Sequence, residues 1–303
     1  MNCIFVDATP ALASLADELL RVDGMALRIN RDADVRPESL PGLLAGARVA
    51  IIDHTPLPTA VAKECVDVRD VIFLGTGARS YMSVDELAAL GIRVHTIKGY
   101  GDTAVAECTI ALMWAAARGV ARMDREMREG TWLRTEGIEL TGRTLGLVGF
   151  GSIAAEVARI ALGSGMRVIG WNRSPKTHAG VTFVPLERLL AESDVVSMHL
   201  LLNDETRGFL SRSRIAAMRP GAILVNTARG ALVDEAAMIN ALRDGHLRHA
   251  GLDVYDIEPL PPGHALTTLP NVTLSAHSAF RTPEASRNVI VAAREHCRRM
   301  RWP

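Results

Sequence analysis

Short apolar runs alternate with helix-length stretches from one end of the chain to the other. That alternation predicts parallel sheets, because a crossover long enough for a helix is what returns the chain to a parallel neighbour. In the first hundred residues Cys3–Val6, Val49–Asp53, Val71–Leu74 and Ile92–Val94 read as strands, with helical patterns at Leu12–Val22 and Ser83–Leu90. A second series reads Thr144–Val148, Met166–Trp171, Val195–Leu200, Ala222–Asn226, Ala250–Val254 and Val272–Ser275, with helices at Ala155–Leu162, Asp234–Arg243 and Glu284–Met300. Between the two series Thr103 is placed to cap a long helix running to Arg118. Its near lack of charge predicts burial on most sides, between domains or against another subunit. Gly119 weakens that helix, and Arg122–Glu129 reads as its solvated continuation. The final helix is expected to pack back on the first domain, which makes that domain discontinuous. No solenoid repeat or low-complexity segment interrupts the pattern.

Composition narrows the class without changing it. A chain of 303 residues, 48% apolar and 22% charged, is long enough for two domains with their own cores. Its 34 basic and 34 acidic residues balance, so no global field holds it on nucleic acid or an anionic membrane. Cys3, Cys65, Cys108 and Cys297 are scattered, with no metal-ligand spacing, and reduced thiols in a cytoplasmic protein are expected. The first residues turn polar too soon for a secretory segment, and no apolar run reaches membrane-spanning length.

The candidate chemistry lies just past the strands. Arg229, Glu258 and His277 each follow an apolar run by a few residues, and in open parallel sheets ligands bind outside the carboxyl ends of the strands. A guanidinium there grips a carboxylate or carbonyl in bidentate fashion. A carboxylate beside an imidazole fixes the ring and favours the imidazolium, a proton donor. Taken singly, each of the three reads as a surface arginine, a loop acid or a structural histidine. The other eight histidines have no comparable setting and are expected to be structural or solvated.

Upstream, Gly149-Phe-Gly-Ser-Ile-Ala154 has dinucleotide-fingerprint spacing, follows a strand and opens a helix. Gly149 permits the tight turn, Gly151 admits a pyrophosphate close to the backbone, and the helix start offers free amides to it. The next strand ends in Trp171-Asn-Arg-Ser-Pro-Lys176, with Asn172 where a ribose-binding acid is wanted for NAD. Arg173, Ser174 and Lys176 suit a ribose 2′-phosphate, which favours NADP over NAD; the bland alternative is a solvated basic loop. In the first half, Leu74-Gly-Thr-Gly-Ala78 offers amides for an anion, although a simple turn accounts for it equally well.

Together these segments resemble the D-isomer-specific 2-hydroxyacid dehydrogenase family. The resemblance is carried by Gly146–Ala154, Met218–Gly230, Gly251–Pro259, Pro270–His277 and Val105-Ala-Glu107. It implies two α/β domains with parallel sheets, flavodoxin-like and Rossmann-like, with a cleft between them, in a homodimer. Residues 1–98 with 279–303 would form the substrate-binding domain and residues 99–278 the dinucleotide-binding one. It further implies Arg229 on the substrate carboxylate and keto oxygen, His277 as general acid/base and Glu258 as its partner. Gly75, Thr76 and Gly77 would bind the substrate carboxylate. Ser152, Ile153, Thr206, Ala228 and Asp253 would lie against the cofactor, Asp253 near the nicotinamide amide. Asn172 departs from the family's usual acid. Leu202 stands near a common proline, and Gly101 where formate-using relatives carry asparagine. The expected activity is NAD(P)-dependent interconversion of a small 2-oxo acid and its D-2-hydroxy acid; the alternative is a dinucleotide-sensing corepressor on the same fold.

Overall fold

A computed structural model describes residues 2–300. The chain divides into two compact units, one running through Gly101 and resuming at Arg281, the other Asp102–Phe280. In the first unit the strands are β1 (Asn2–Phe5), β2 (Ala26–Ile29), β3 (Val49–Ile52), β4 (Asp70–Phe73) and β5 (Arg93–Thr96). They form a parallel sheet in the order β2-β1-β3-β4-β5, the flavodoxin-like winding. The second unit holds β6 (Thr144–Val148), β7 (Arg167–Trp171), β8 (Val181–Phe183), β9 (Val195–Met198), β10 (Ala222–Asn226), β11 (Leu247–Leu252) and β12 (Val272–Leu274). Their order is β12-β11-β10-β9-β6-β7-β8, again parallel, the doubly wound dinucleotide-binding arrangement with one strand added.

The strands β1, β3, β4, β6, β9 and β10 read as near-continuous apolar runs because both faces are covered. Val289, Ile290, Ala293 and Cys297 of the helix Pro283–Arg299 pack with Cys3, Phe5 and Ile51 in the first unit's core. The helix Asp102–Arg118 lies on the helix Ser152–Gly163 and on β10, β11 and β12. Only Thr103, Glu107, Ala111 and Arg118 of its residues are exposed, so the near lack of charge does reflect burial.

Several local expectations change. The helix begins at Asp102, so Thr103 lies inside its first turn rather than capping it. Gly119 ends it in the left-handed region, φ 64°, and the segment Val120–Arg128 sets off at 68° as a separate helix rather than a continuation. The turn after β6 is shorter than expected: Gly151 is the cap and the helix runs Ser152–Gly163. Strands β2 and β8 lack the buried apolar run that marks the others, being half-exposed edge strands. The short helices Thr59–Glu64 and Leu186–Glu192 also carry no long periodic pattern.

Candidate active site

The order of the second sheet reverses between β6 and β9, which opens a crevice at their carboxyl ends. The turn Gly149–Gly151 leaves β6 there, and the loop Leu201–Thr206 leaves β9. Gly149 sits at φ 89°, and a Cβ would stand 2.8 Å from the His199 carbonyl oxygen, so only glycine fits. No heavy atom lies within 4 Å of where a Gly151 Cβ would project. That open space, over the start of a twelve-residue helix, is where a pyrophosphate reaches the unpaired first-turn amides of Ser152 and Ile153. The residues present therefore fit a dinucleotide.

Asn172 closes the same turn. Its Oδ1 accepts from the Phe150 amide at 3.2 Å and its Nδ2 donates to the Ser174 carbonyl at 2.9 Å. Arg173 is paired across the crevice loops with Glu205 at 2.7 Å, both side chains being mostly exposed. Ser174 and Lys176 are exposed as well. Thr206 holds its own loop, donating to the Leu201 carbonyl at 2.6 Å and accepting from the Asn203 amide at 2.8 Å. Glu205 escapes a reading along the basic loop, because its partner is 32 residues away.

The loops after β10, β11 and β12 gather the charged residues. Asn226 ends β10 and ties down the turn: its Nδ2 donates to the Arg229 carbonyl at 2.9 Å and its Oδ1 accepts from the Ala228 amide at 3.0 Å. Arg229 donates from Nη1 to the Ala228 carbonyl at 2.6 Å. Gly230 serves a different purpose from backbone freedom. Its φ is not positive, but a Cβ there would stand 1.9 Å from the Tyr255 carbonyl carbon. Glycine thus lets the Arg229 turn touch the loop that carries Glu258.

Glu258 accepts from the Tyr255 amide at 2.9 Å and from His277 Nδ1 at 2.5 Å. Burial pushes its carboxyl up, but the bonds from His277 and Tyr255, with the charges of His277 and Arg229, outweigh it and hold the group below its ordinary value. Arg229 therefore belongs to the same electrostatic neighbourhood as the pair. His277 itself sits at φ 47°, unusual for a residue with a Cβ. Its Nε2 has no partner among the described residues.

What holds His277 there is Asp253. This carboxylate, fully buried, accepts from Ser275 Oγ at 2.5 Å, the Ser278 amide at 3.0 Å and the Ala279 amide at 2.9 Å. Its backbone carbonyl accepts from the His277 amide at 2.8 Å. Neither composition nor motif spacing reveals that scaffold, because its partners are 22 to 26 residues downstream.

In the first unit Gly75, Thr76 and Gly77 follow β4. The Gly75 amide is already bonded to the Phe73 carbonyl at 2.8 Å. Only the Thr76 and Gly77 amides lack a backbone partner among the described residues, so the loop offers fewer donors than its sequence suggests. Three other histidines do have carboxylate settings, contrary to expectation, among them His264, which contacts Glu235 at 3.1 Å. His54 contacts Asp53 at 3.2 Å and His95 contacts Asp70 at 2.9 Å. Among the described residues no group of three or more His, Cys, Asp or Glu is arranged to hold a metal.

The model of the D-isomer specific 2-hydroxyacid dehydrogenase NAD binding domain matches residues 110–279. The chain belongs to the D-isomer-specific 2-hydroxyacid dehydrogenase family. A glyoxylate reductase of Aeropyrum pernix is 42% identical over 228 residues, 71% of this chain and 68% of that one. A hydroxypyruvate reductase of Thermotoga maritima is 40% identical over 213 residues, 69% of this chain and 70% of that one. Among solved structures, the TT0316 protein of Thermus thermophilus is alike with a TM-score of 0.86 and 36% identity, over 97% of this chain and 95% of that one. An acyclic imino acid reductase in complex with NADPH and D-Arg gives a TM-score of 0.83 at 27% identity, over 96% and 94%. As a family member the chain is an NAD(P)-dependent oxidoreductase of 2-oxo and 2-hydroxy acids. The regulatory alternative is not favoured.

Proposed function

We propose that this dehydrogenase works as a reductase of a small 2-oxo acid, of the glyoxylate, hydroxypyruvate or bulkier type, giving the D-2-hydroxy acid. The observation that carries the reading is the Glu258–His277 pair, with Nδ1 engaged by the carboxylate and Nε2 left open. Glu258 favours the imidazolium, and His277 delivers its proton from Nε2 to the carbonyl oxygen as that oxygen gains charge. Arg229 binds the substrate carboxylate and polarises the keto oxygen; Gly75, Thr76 and Gly77 are substrate-binding residues by the amides that their loop offers to an anion. The bound dinucleotide supplies hydride from its nicotinamide ring. Gly149, Gly151, Ser152 and Ile153 hold its pyrophosphate, with Thr206, Ala228 and Asp253 on the cofactor side. Asp253 serves there as a positioning residue for the His277 loop.

NADP is the favoured cofactor. Asn172 presents no charge to repel a 2′-phosphate, and Arg173, Ser174 and Lys176 stand exposed beside it. Glu205 competes for Arg173, but exposed ion pairs are worth only about 0–1 kcal/mol and yield to a doubly charged phosphate. We further place the enzyme in the cytoplasm as a homodimer, with no nucleic-acid or membrane partner. Val120, Met127 and Trp132 remain 50%, 49% and 73% exposed, the kind of apolar surface a second copy covers. All four cysteines are free thiols, and no single helix among the described residues is long and apolar enough to cross a membrane.

The test is a panel of 2-oxo acids scanned with NADPH and NADH, following absorbance loss, with a His277→Ala control. Turnover no greater than the control for every acid would remove the reading. Arg173→Ala is expected to weaken NADPH use by roughly 1–3 kcal/mol and leave NADH use nearly unchanged. Equal use of both cofactors by the parent, with no selective effect of Arg173→Ala, would show that the loop is merely solvated.

A further inference from the structure

The five-stranded sheet gathers a second group of charges at the amino ends of its strands, the edge opposite the Gly75–Gly77 loop. Arg48 precedes β3, Asp70 opens β4 and Arg93 opens β5, with His95 two residues further on. His296 and Arg299 come from the last turn of the helix Pro283–Arg299. With Met300 these residues line a cavity of about 270 Å³.

Its base is a buried carboxylate. Asp70 is fully buried and accepts from Arg93 Nε at 2.8 Å, Arg93 Nη2 at 2.9 Å and His95 Nε2 at 2.9 Å. Burial pushes Asp70 up, yet the bonds and charges of Arg93 and His95 prevail and lower it. This grip fixes the guanidinium plane and the imidazole from beneath, and leaves Arg93 Nη1 without a partner among the described residues. The His95 and His296 rings lie 5.8 Å apart, and burial, then the charges of His95 and Arg299, lower His296 below its ordinary value.

Three guanidiniums and two imidazoles thus line the cavity around the Asp70 carboxylate. The chain as a whole has no basic surplus, its 34 basic and 34 acidic residues cancelling, so composition does not explain the cluster. Guanidiniums held in a fixed plane match the oxygens of a phosphate group. A cavity of this size takes a three- or four-carbon phosphorylated compound and is too small for a dinucleotide. It is also a pocket rather than a stripe, which disfavours a nucleic-acid backbone.

We propose that this cavity is a binding site for a small phosphate ester, distinct from the dinucleotide site of the other unit. The phosphate sits against Arg93, Arg48 and Arg299. Its charge favours the imidazolium of His296. The charged and titratable groups facing His296 are His95 and Arg93 on β5, Asp70 on β4, Arg48 before β3 and Arg299 on its own helix.

The test titrates glycerol 3-phosphate, inorganic phosphate and glycerol into the full chain by calorimetry at constant ionic strength. NADPH binding is measured first and then saturated, so that the dinucleotide site is closed and failure of the cofactor reading is seen separately. The expected result is saturable one-site binding of glycerol 3-phosphate, tighter than inorganic phosphate, and none of glycerol. Arg48→Gln with Arg299→Gln is expected to weaken it at least tenfold while NADPH affinity stays unchanged. Both arginines are exposed, and Arg299→Gln alone serves the same comparison at about threefold if the double variant folds poorly. Inorganic phosphate binding as tightly as the ester would overturn the ester as ligand. No saturable binding, or binding unchanged in the variants, would overturn the site.

Discussion

The two units use one device to different ends. In each, a fully buried aspartate just past one strand holds the loop after the neighbouring strand, and that loop raises a histidine. Asp7, past β1, accepts from the Asp53 and His54 amides at 2.8 Å and from the Thr55 amide and hydroxyl at 2.7 Å. Asp253, past β11, accepts from Ser275, Ser278 and Ala279 around His277. The histidines then differ. His54 has both ring nitrogens engaged, Nδ1 by Asp53 at 3.2 Å and Nε2 by the Ala33 carbonyl at 2.8 Å. His277 has one engaged and one open. A carboxylate neighbour alone therefore does not make a proton donor; an unoccupied second nitrogen is also needed.

The largest expected effect separates those two histidines. His277→Gln should lower kcat/KM for 2-oxo acid reduction by roughly 10²–10⁴, the range for losing a general acid. His54→Gln should leave it within a few-fold, because neither of its nitrogens is free to transfer a proton. Comparable losses in both would dissolve the distinction. Next in size is a contrast between charge and backbone. Arg229→Lys should cost on the order of a hundredfold in kcat/KM, because an ammonium lacks the paired donors of a guanidinium. Thr76→Ala should change it only slightly, since the first unit's loop offers main-chain amides rather than its side chain. A large Thr76→Ala defect would mean that the hydroxyl, not the amide, meets the ligand.

The sequence made the sheets legible because their central strands are buried on both faces and read as apolar runs; the edge strands β2 and β8, half-exposed, have no such run. Arg229, Glu258 and His277 were legible for a positional reason: each charge closely follows a strand. The meeting of Glu258 with His277 spans 19 residues, and the reading anticipated it only by pairing chemical roles. The scaffolds were not legible. Asp7 looks like an ordinary acid and Asp253 carries only the cofactor role implied by resemblance until their partners, 46 to 48 and 22 to 26 residues away, are brought together by parallel strand pairing. Glu205 opposite Arg173 escaped for the same reason.

A smaller effect concerns stability and runs in opposite directions in the two units. The bond from Asp53 raises His54 to about 9 against the opposing effect of burial, with Asp7 adding to the rise. Its contribution is present in full below pH 6.5 and is lost as pH rises through 9. Burial lowers His199 and His249 to about 4, Arg248 adding to the effect on His249. Their contribution is present above pH 6.5 and is lost as pH falls toward 4. His54 is half-buried, so solvent screening leaves its share on the order of 1 kcal/mol. Denaturant midpoints followed across pH should therefore fall on both sides, and His54→Gln should flatten only the alkaline side. An alkaline fall of equal size in that variant would remove His54 as its source.

The central claim, that Glu258 tunes His277 as proton donor, is tested most directly by the pH profile of kcat/KM in Glu258→Gln. Reduction needs the imidazolium, so in the parent its rate should fall as pH rises, while oxidation of the hydroxy acid shows the opposite trend. Replacing the carboxylate with an amide removes the charge that favours imidazolium, and the falling limb should move to lower pH. A limb that stays in place, with only a uniform drop in rate, would contradict the account.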